Sequence, residues 1–388
     1  MLLIKNGKIL TMAESTIENG CILINEGKII EVAKDIKETD DMKVINASGA
    51  WVMPGLIDAH CHVGLSLGGV GWEGDDVNER TNSVTPYVRG IDSINILDKG
   101  FEHAVKGGVT SIMTGPGSAN VCGGQSVFMK TRGKSLDDMI VKSPAAMKIA
   151  FGENTKNVYP QRNSSPSTRM GTAAILRETL FEAKKYKFKK DKALKNNEEF
   201  EIDFKKEPWI DVLEKKIPLK AHAHRADDIL TAIRIAREFE LDMTLDHCTE
   251  GHLITDDVKN SGFDTILGPS FGSITKPEVQ NKTFETAGVL HKAGCRVAIM
   301  TDHPVVPIEY LALSAGLAAK AGLGVEEGLK AITINPAKIC NVDDRVGSIE
   351  VGKDADIAIF TGNPMEVFTE TLYTIIDGEI VYSKEVVM

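Results

Sequence analysis

Three features that would place a chain outside the cell or in a membrane are missing from this 388-residue sequence. Its six cysteines are scattered and no two form a C-x-x-C pair, so we expect neither a disulfide framework nor a zinc knuckle. No stretch approaches the roughly 18 apolar residues of a membrane helix. The first residues also lack the long apolar run and the small-residue cleavage site of a signal peptide. We therefore expect a cytoplasmic protein without a membrane partner.

The sequence has no excess of basic residues. Its 45 lysines and arginines stand against 55 aspartates and glutamates, which gives a net charge of -10 at pH 7. A surface of this sign disfavours nucleic acid as the main partner. The content of 42% hydrophobic and 26% charged residues is ordinary for a globular enzyme. We expect a small-molecule substrate, and the sequence leaves a homo-oligomer open.

Both ends of the chain have the pattern of short strands separated by turns. The turn signals include Asn6-Gly7 and Glu26-Gly27 in the first part and Asp377-Gly378 near the end. Neither end alone has enough apolar residues for a core. We therefore predict that residues 1–53 and 340–388 together form one composite β-sandwich domain.

The middle of the chain alternates strands with helices, which predicts an α/β fold of parallel βα units. Eight candidate strands occur, at residues 57–60, 111–114, 125–130, 146–151, 219–222, 243–247, 265–268 and 297–301. They predict a (β/α)8 TIM-like barrel over residues 54–339, with a doubly wound open sheet as the alternative. A polar loop at 65–89 and a long insertion near 154–218 each follow a strand. Both are therefore expected at the face of the barrel that holds the active site.

Histidines recur where these strands end. His60 and His62 lie one residue apart after an apolar strand, so their side chains point to the same face and can chelate one ion. The other groups are His222 or His224 at the fifth strand, His247 at the sixth and Asp302 at the eighth. Because strand ends converge in a barrel, this pattern predicts one metal centre.

The chemistry expected of such a centre is hydrolysis. A divalent ion lowers the pKa of bound water to about 7 and makes hydroxide available at neutral pH. Asp302 can contact the ion, accept the proton of the attacking water and pass that proton to a leaving nitrogen. We expect zinc, as one or two ions, and mixed histidine and carboxylate sites also accept manganese, iron and cobalt.

Two sequence runs resemble those of a known family. Residues 54–62, Pro-Gly-Leu-Ile-Asp-Ala-His-Cys-His, resemble the signature of the amidohydrolase superfamily, and residues 347–356 resemble its return into the β-domain. The resemblance covers nearly the whole chain and points most closely to the branch with imidazolonepropionase and prolidase-like dipeptidases. It implies a hydrolase of C–N bonds other than typical peptide bonds, in an amide, cyclic amide or peptide-like substrate.

The resemblance also implies a ligand set. The residues that match the family ligands are His60, His62, His222, His247 and Asp302. Binuclear members add a bridging group on the fourth strand, which here is a carboxylated Lys148 or, as the alternative, Glu153. Alternation along the strand points Lys148 into the barrel, where an uncharged or carboxylated amine is less costly to bury than an ammonium. A structural ion pair between Lys148 and Glu153 is a third interpretation.

Four more residues near these strand ends are candidates for substrate binding. Imidazolonepropionase-like relatives have an acidic residue soon after the fifth-strand ligand, whereas this chain has His224 and Arg225 there. We predict that these two contact a substrate carboxylate, with an exposed surface position as the alternative for Arg225. The other two candidates are Gln125, which ends the glycine-rich loop 115–125, and His303. The alternative functions are a deaminase of an amino-heterocycle and a non-catalytic barrel.

Overall fold

The computed structural model describes residues 1–68 and 70–384, in two sheets that meet at Gly55. Gly55 separates a strand of one sheet from a strand of the other, and a Cβ there would lie 2.1 Å from Thr110 Oγ1. Only glycine therefore fits this junction. The described residues include no helix with the length and apolarity that crossing a bilayer requires.

The described residues form sixteen strands, eight in each sheet. In chain order they are β1 (Leu2–Ile9), β2 (Ile17–Asn25), β3 (Lys28–Ala33), β4 (Lys43–Asn46), β5 (Trp51–Pro54), β6 (Leu56–Cys61), β7 (Val109–Thr114), β8 (Cys122–Lys130), β9 (Ile140–Ala150), β10 (Leu219–Ala223), β11 (Met243–His247), β12 (Asp264–Leu267), β13 (Val297–Ile299), β14 (Ile357–Phe360), β15 (Thr371–Ile376) and β16 (Glu379–Ser383).

The α-helices of the described residues surround the second sheet and fill the long insertion. They are α1 (Lys99–Lys106), α2 (Leu136–Met139), α3 (Glu153–Val158), α4 (Arg169–Asn196), α5 (Trp209–Leu213), α6 (Ala226–Phe239), α7 (Thr255–Ser261), α8 (Glu285–Lys292), α9 (Leu311–Ala318), α10 (Val325–Lys330) and α11 (Ile334–Ile339). The longest, α4, begins after Thr168, whose hydroxyl accepts a hydrogen bond from the N–H of Gly171. It ends before Asn197, which adopts the left-handed conformation common at helix ends.

The first sheet combines strands from both ends of the chain. Its order is β16-β15-β14-β5-β1-β2-β3, with β4 also paired to β1. The two ends join where β14 runs antiparallel to β5, with Ile359 opposite Val52. Buried isoleucines and valines from both ends form a core of their own. The two termini thus build one sheet, and the domain boundaries at residues 53 and 340 stay a prediction.

The second sheet runs in chain order from β6 to β13 and forms a nearly closed barrel. Its neighbouring strands are parallel except at β8, which runs antiparallel to both β7 and β9. The prediction of parallel βα units throughout is therefore wrong at this strand. The connections before and after β8, residues 115–121 and 131–139, are too short for the crossover of a dozen or more residues that a parallel pair requires.

Backbone hydrogen bonds bring the segment after β13 against the end of β6. The carbonyl oxygen of His60 accepts a hydrogen bond from the N–H of Asp302 at 3.2 Å. The carbonyl oxygen of His303 accepts one from the N–H of His62 at 2.9 Å. This closure places Asp302 beside the two histidines although more than two hundred residues separate them in the chain.

A buried ion-pair network connects the barrel to the terminal sheet. Lys130, the last residue of β8, is 1% exposed, and its ammonium contacts the carboxylates of Asp354, Asp356 and Asp377. The three aspartates flank the strands β14 to β16 of the terminal sheet. Burial raises the pKa of Asp356 to about 6, and the charge of Lys130 opposes that rise. Asp354 also contacts Lys28 and Arg345, whereas Lys130 is the only cation that pairs with Asp356 among the described residues.

We expect Lys130→Met to lower the free energy of unfolding by about 3–5 kcal/mol, the range for removing one partner of a buried ion pair. Asp354 and Asp356 are almost fully buried and would lose this cation. Urea denaturation followed by circular dichroism measures the change. Lys134→Met is the matched control because the Lys134 side chain is 85% exposed. Equal stability of the two variants would contradict the role assigned to Lys130.

Candidate metal centre

Two histidines at the end of β6 are each held in place by a hydrogen bond through Nδ1. His60 is 2% exposed and donates its Nδ1–H to Asp246 Oδ2 at 2.5 Å. His62 donates its Nδ1–H to the carbonyl oxygen of Gly115 at 2.8 Å. Burial lowers the pKa of His60 well below its usual value, which keeps this ring neutral. With Nδ1 protonated, Nε2 of each ring carries the lone pair that a metal ligand needs.

Three further imidazoles come together at the ends of β10 and β11. The ring centres of His222 and His224 lie 4.3 Å and 4.4 Å from that of His247. His247 donates its Nδ1–H to the carbonyl oxygen of Gly268 at 2.8 Å, which again leaves Nε2 free. His222 Nε2 is buried and has no hydrogen-bond partner among the described residues. Burial lowers the pKa of all three rings well below the usual value, so all three are neutral.

His247 reaches this group through its backbone conformation. Thr244 donates its hydroxyl proton to Asp246, so these two residues of β11 share a face and regular alternation would send His247 to the other one. The φ angle of His247 is 69°, in the left-handed region that residues other than glycine seldom adopt. The ring thereby lies 5.2 Å from that of His60, measured between ring centres. Strained backbone of this kind clusters at functional sites.

Asp302 lies against the two histidines of β6. Its Oδ1 is 3.4 Å from His60 Nε2 and 3.3 Å from His62 Nε2. Like His247, it has a positive φ, of 53°. The preceding residue, Thr301, is held by Asp58, which accepts hydrogen bonds from its backbone N–H and its hydroxyl. A buried carboxylate thus supports the turn that presents Asp302.

Lys148 is buried beside His60. It is 1% exposed, and its Nζ lies 3.2 Å from His60 Nε2. Burial lowers the pKa of this amine to about 8, so the neutral form, which can be carboxylated, is accessible. Glu153 lies elsewhere: its N–H donates to Glu278 Oε2 at 2.8 Å, and its own Oε2 accepts from the N–H of Glu278 at 3.4 Å. The structure therefore brings Lys148, and not Glu153, to the histidines.

Two carboxylates behind the imidazoles were not predicted. Asp246 is fully buried and contacts Lys220 Nζ at 2.7 Å as well as His60. Glu278 is 1% exposed, with Oε1 at 3.7 Å from His224 Nε2. Alternation along β11 could have identified Asp246 as an inward residue. Glu278 lies in the loop after β12, where nothing in the sequence pattern marks it.

A cavity of about 430 Å³ opens over these side chains, within the size range of small-molecule sites. The five imidazoles, Lys148 and Asp302 all contribute to its lining. The loop at 65–89 adds Val77 and Asn78, and the start of the long insertion adds Asn154. The loop of residues 268–284, after β12, forms much of the remaining wall.

The other three candidates for substrate binding lie outside this lining. Gln125 donates from Nε2 to a backbone carbonyl of the neighbouring loop at 3.0 Å. Arg225 forms a two-pronged pair with Asp227 at 3.0 and 2.9 Å, with its side chain 43% exposed. His303 Nδ1 accepts a hydrogen bond from the N–H of Ile308 at 3.2 Å. None of the three is among the described residues that line the cavity, so their contact with substrate stays a prediction.

Two groups of three side chains have the geometry of a metal site. They are His60, His62 and Asp302, and His222, His224 and His247, with the ligand atoms of each group within 4.8 Å of one another. Neutral imidazoles combined with a carboxylate suit zinc and related divalent ions. Nε2 of His222 is buried and has no hydrogen-bond partner among the described residues, and a bound metal ion would satisfy it. These residues therefore fit one or two divalent ions.

Comparisons with known proteins agree on one family. The amidohydrolase family model matches residues 51–381. The chain is similar to an amidohydrolase of known crystal structure from Thermotoga maritima MSB8, with 42% identity and a TM-score of 0.96 over 99% of this chain and 100% of that one. It is 26% identical to the imidazolonepropionase of Fusobacterium nucleatum over 94% of this chain and 92% of the relative. It is 27% identical to the amidohydrolase tasK of Hapsidospora irregularis over 95% of this chain, which spans 40% of the length of tasK.

We expect Asp246→Asn to weaken zinc binding by about 10- to 100-fold, the usual effect of removing a carboxylate behind a metal-bound histidine. The substituted amide no longer offers a charged acceptor to His60 and Lys220. Competition with a chromophoric chelator measures the affinity, and Asp256→Asn, on the exposed side of α7, is the control. Thermal unfolding verifies that both variants are folded. Unchanged zinc affinity in folded Asp246→Asn would contradict this role.

Proposed function

The chain belongs to the amidohydrolase family, and from this premise we propose that it is a metal-dependent hydrolase of the C–N bond in an amide, cyclic amide or peptide-like substrate. The family resemblance of residues 54–62 and the predicted enzyme class, an amidohydrolase acting on C–N bonds, are confirmed by the match. The observation that carries the proposal is the convergence of two ligand groups, from strand ends far apart in the sequence, on one cavity.

We assign the ligands from these two groups and from the lysine beside them. His60, His62 and Asp302 would hold one ion, His222 and His247 would hold a second, and a carboxylated Lys148 would supply a ligand to both. The distance of 3.2 Å from Lys148 Nζ to His60 Nε2 supports the bridging role, and the placement of Glu153 against Glu278 speaks against the alternative. Zinc is the expected metal, and manganese, iron or cobalt would suit the same ligands.

The side chains around the cavity have different roles in the proposed hydrolysis. When bound, a divalent ion supplies Lewis acidity and lowers the pKa of water. Asp302 presents a carboxylate at the cavity, and its Oδ1 accepts a proton from the attacking water and delivers it to the leaving nitrogen. Hydrogen bonds through Nδ1 fix the rings of His60 and His62, so the side chains next to Asp302 are held in a defined orientation.

We expect Asp302→Asn to retain bound zinc and to lose at least about 100-fold in kcat/KM, because an amide cannot accept the proton. Turnover is measured with zinc-loaded protein on a panel of N-acyl amino acids, dipeptides, cyclic imides and amino-heterocycles, and metal content by mass spectrometry. Asp257→Asn, which changes an exposed aspartate of α7, is the control.

The outcomes of this panel separate the candidate functions. Undiminished hydrolysis by Asp302→Asn would exclude Asp302 as the base. Ammonia release from amino-heterocycles without amide hydrolysis would replace the proposal with a deaminase. A zinc-loaded wild-type protein without turnover of any class would favour the non-catalytic barrel.

A separate expectation concerns the bridging ligand. Lys148→Ala should lower the metal content from two ions towards one ion per chain, because a carboxylated lysine would contact both. A short carboxylic acid such as propionate should partly restore the second ion by replacing the missing carboxylate. Glu153→Gln is the matched variant and should keep two ions. The reverse result, with metal lost only from Glu153→Gln, would assign the bridge to Glu153.

A further inference from the structure

The cavity lining differs in charge from the protein as a whole. The chain carries a net charge of -10. The described lining, however, contains three lysines, Lys148, Lys276 and Lys282, against one carboxylate, that of Asp302. Lys148 is assigned above to carboxylation, so only Lys276 and Lys282 count as cations here. A cavity lined by one sign of charge concentrates ligands of the opposite sign. The lining therefore favours a negatively charged substrate only through a lysine that has no carboxylate partner within the protein.

Lys276 is already neutralised by the protein. Its Nζ lies 2.5 Å from Oε1 of Glu278, which is 1% exposed. The same ammonium donates a hydrogen bond to Asn154 Oδ1 at 3.1 Å. Asn154 in turn donates to the hydroxyl of Ser118 in the glycine-rich loop at 2.7 Å. Lys276 therefore belongs to a chain of polar contacts that connects the loop 268–284, helix α3 and the glycine-rich loop.

Lys282, on the same wall, has only neutral partners. Its Nζ donates to the carbonyl oxygens of Gly272 and Ser273, each at 3.0 Å. It forms no ion pair with any residue of the described ranges 1–68 and 70–384, and burial alone lowers its pKa. An ammonium has three N–H donors, so one donor remains for a ligand.

The position of Lys282 relates it to the metal centre. Burial is the main cause of the lowered pKa of His224, and the charges of Lys276, Lys148 and Lys282 add to it in that order, so Lys282 lies within electrostatic reach of that ring. Lys282 also shares the adjoining cleft with His247. A substrate whose scissile bond lies at the imidazoles can therefore extend towards this lysine within a cavity of about 430 Å³.

We propose that Lys282 is a specificity-determining residue that binds a carboxylate on the substrate, at the end away from the scissile C–N bond. This inference rests on the proposed function and deepens it, because it selects N-acyl amino acids and similar acids among amide substrates. The carbonyl groups of Gly272 and Ser273 hold the ammonium in place. A carboxylate supplies the opposite charge that no described residue supplies to it and forms a charge-assisted hydrogen bond with the remaining donor.

The test compares an acid with its neutral analogue. N-acetyl-L-leucine and N-acetyl-L-leucine methylamide are titrated by calorimetry into the zinc-loaded Asp302→Asn protein, which is expected to bind without turnover. We expect the acid to bind at least about tenfold more tightly, in line with a hydrogen bond to a charged group. Adding Lys282→Gln should remove this preference, and Lys282→Arg should keep most of it. Lys292→Gln, which removes an exposed lysine of α8, is the matched control.

The outcomes distinguish this inference from the function on which it rests. Equal affinities for the two compounds, no measurable binding of the acid, or an unchanged preference in Lys282→Gln would overturn the role of Lys282. Loss of the preference in Lys292→Gln would overturn it as well, because a general charge effect would then explain the result. Failure of the wild-type protein to hydrolyse any amide of the panel would overturn the proposed function and leave the binding comparison valid.

Discussion

The carboxylate of Asp246 fixes the geometry on which the whole centre depends. It is fully buried and contacts the ring of His60, the ammonium of Lys220 and the hydroxyl of Thr244. These contacts join β6, β10 and β11 at one level of the barrel. A buried charge is tolerated only when it is paired and hydrogen-bonded, so this network constrains the relative positions of the three strands. The strand ends that carry His62, His222 and His247 are built on the same three strands.

The sequence predicted that most of these histidines lie close together because strand periodicity and strand ends are local properties. His60 and His62 share a face by simple alternation, and the structure places their free Nε2 atoms close to Asp302. Alternation would have turned His247 away, and only its left-handed backbone brings it to the other rings. The sequence predicted a ligand role for His247 from its place at a strand end. The left-handed backbone that brings its ring to the other histidines cannot be predicted from the residue type.

Features set by distant contacts were less accessible. All eight barrel strands were located in the sequence, but the direction of β8 was missed although the short connections around it already excluded a parallel crossover. That the two chain ends share one sheet could be predicted, because neither end alone has enough apolar residues to form a core. The positions of the Glu278 and Lys282 side chains at the cavity could not be predicted, because both residues lie in the loop 268–284. Irregular loops have no periodicity from which the direction of a side chain can be derived.

Four lysines of the barrel and its loops show that the partners of an ammonium group, more than its burial, decide its role. Lys130 contacts three carboxylates, and Lys220 contacts Asp246 and a backbone carbonyl, so both charges are neutralised and serve the fold. Lys148 and Lys282 are in the cavity wall and have no carboxylate in ion-pair contact within the described chain. Burial lowers the pKa of both. At Lys148 the charges of Asp246 and Asp302 oppose this effect only in part, and at Lys282 burial is the only cause. We propose a different partner for each amine. Carbon dioxide would react with the neutral amine of Lys148 to form a carbamate, and a carboxylate of the substrate would pair with the ammonium of Lys282.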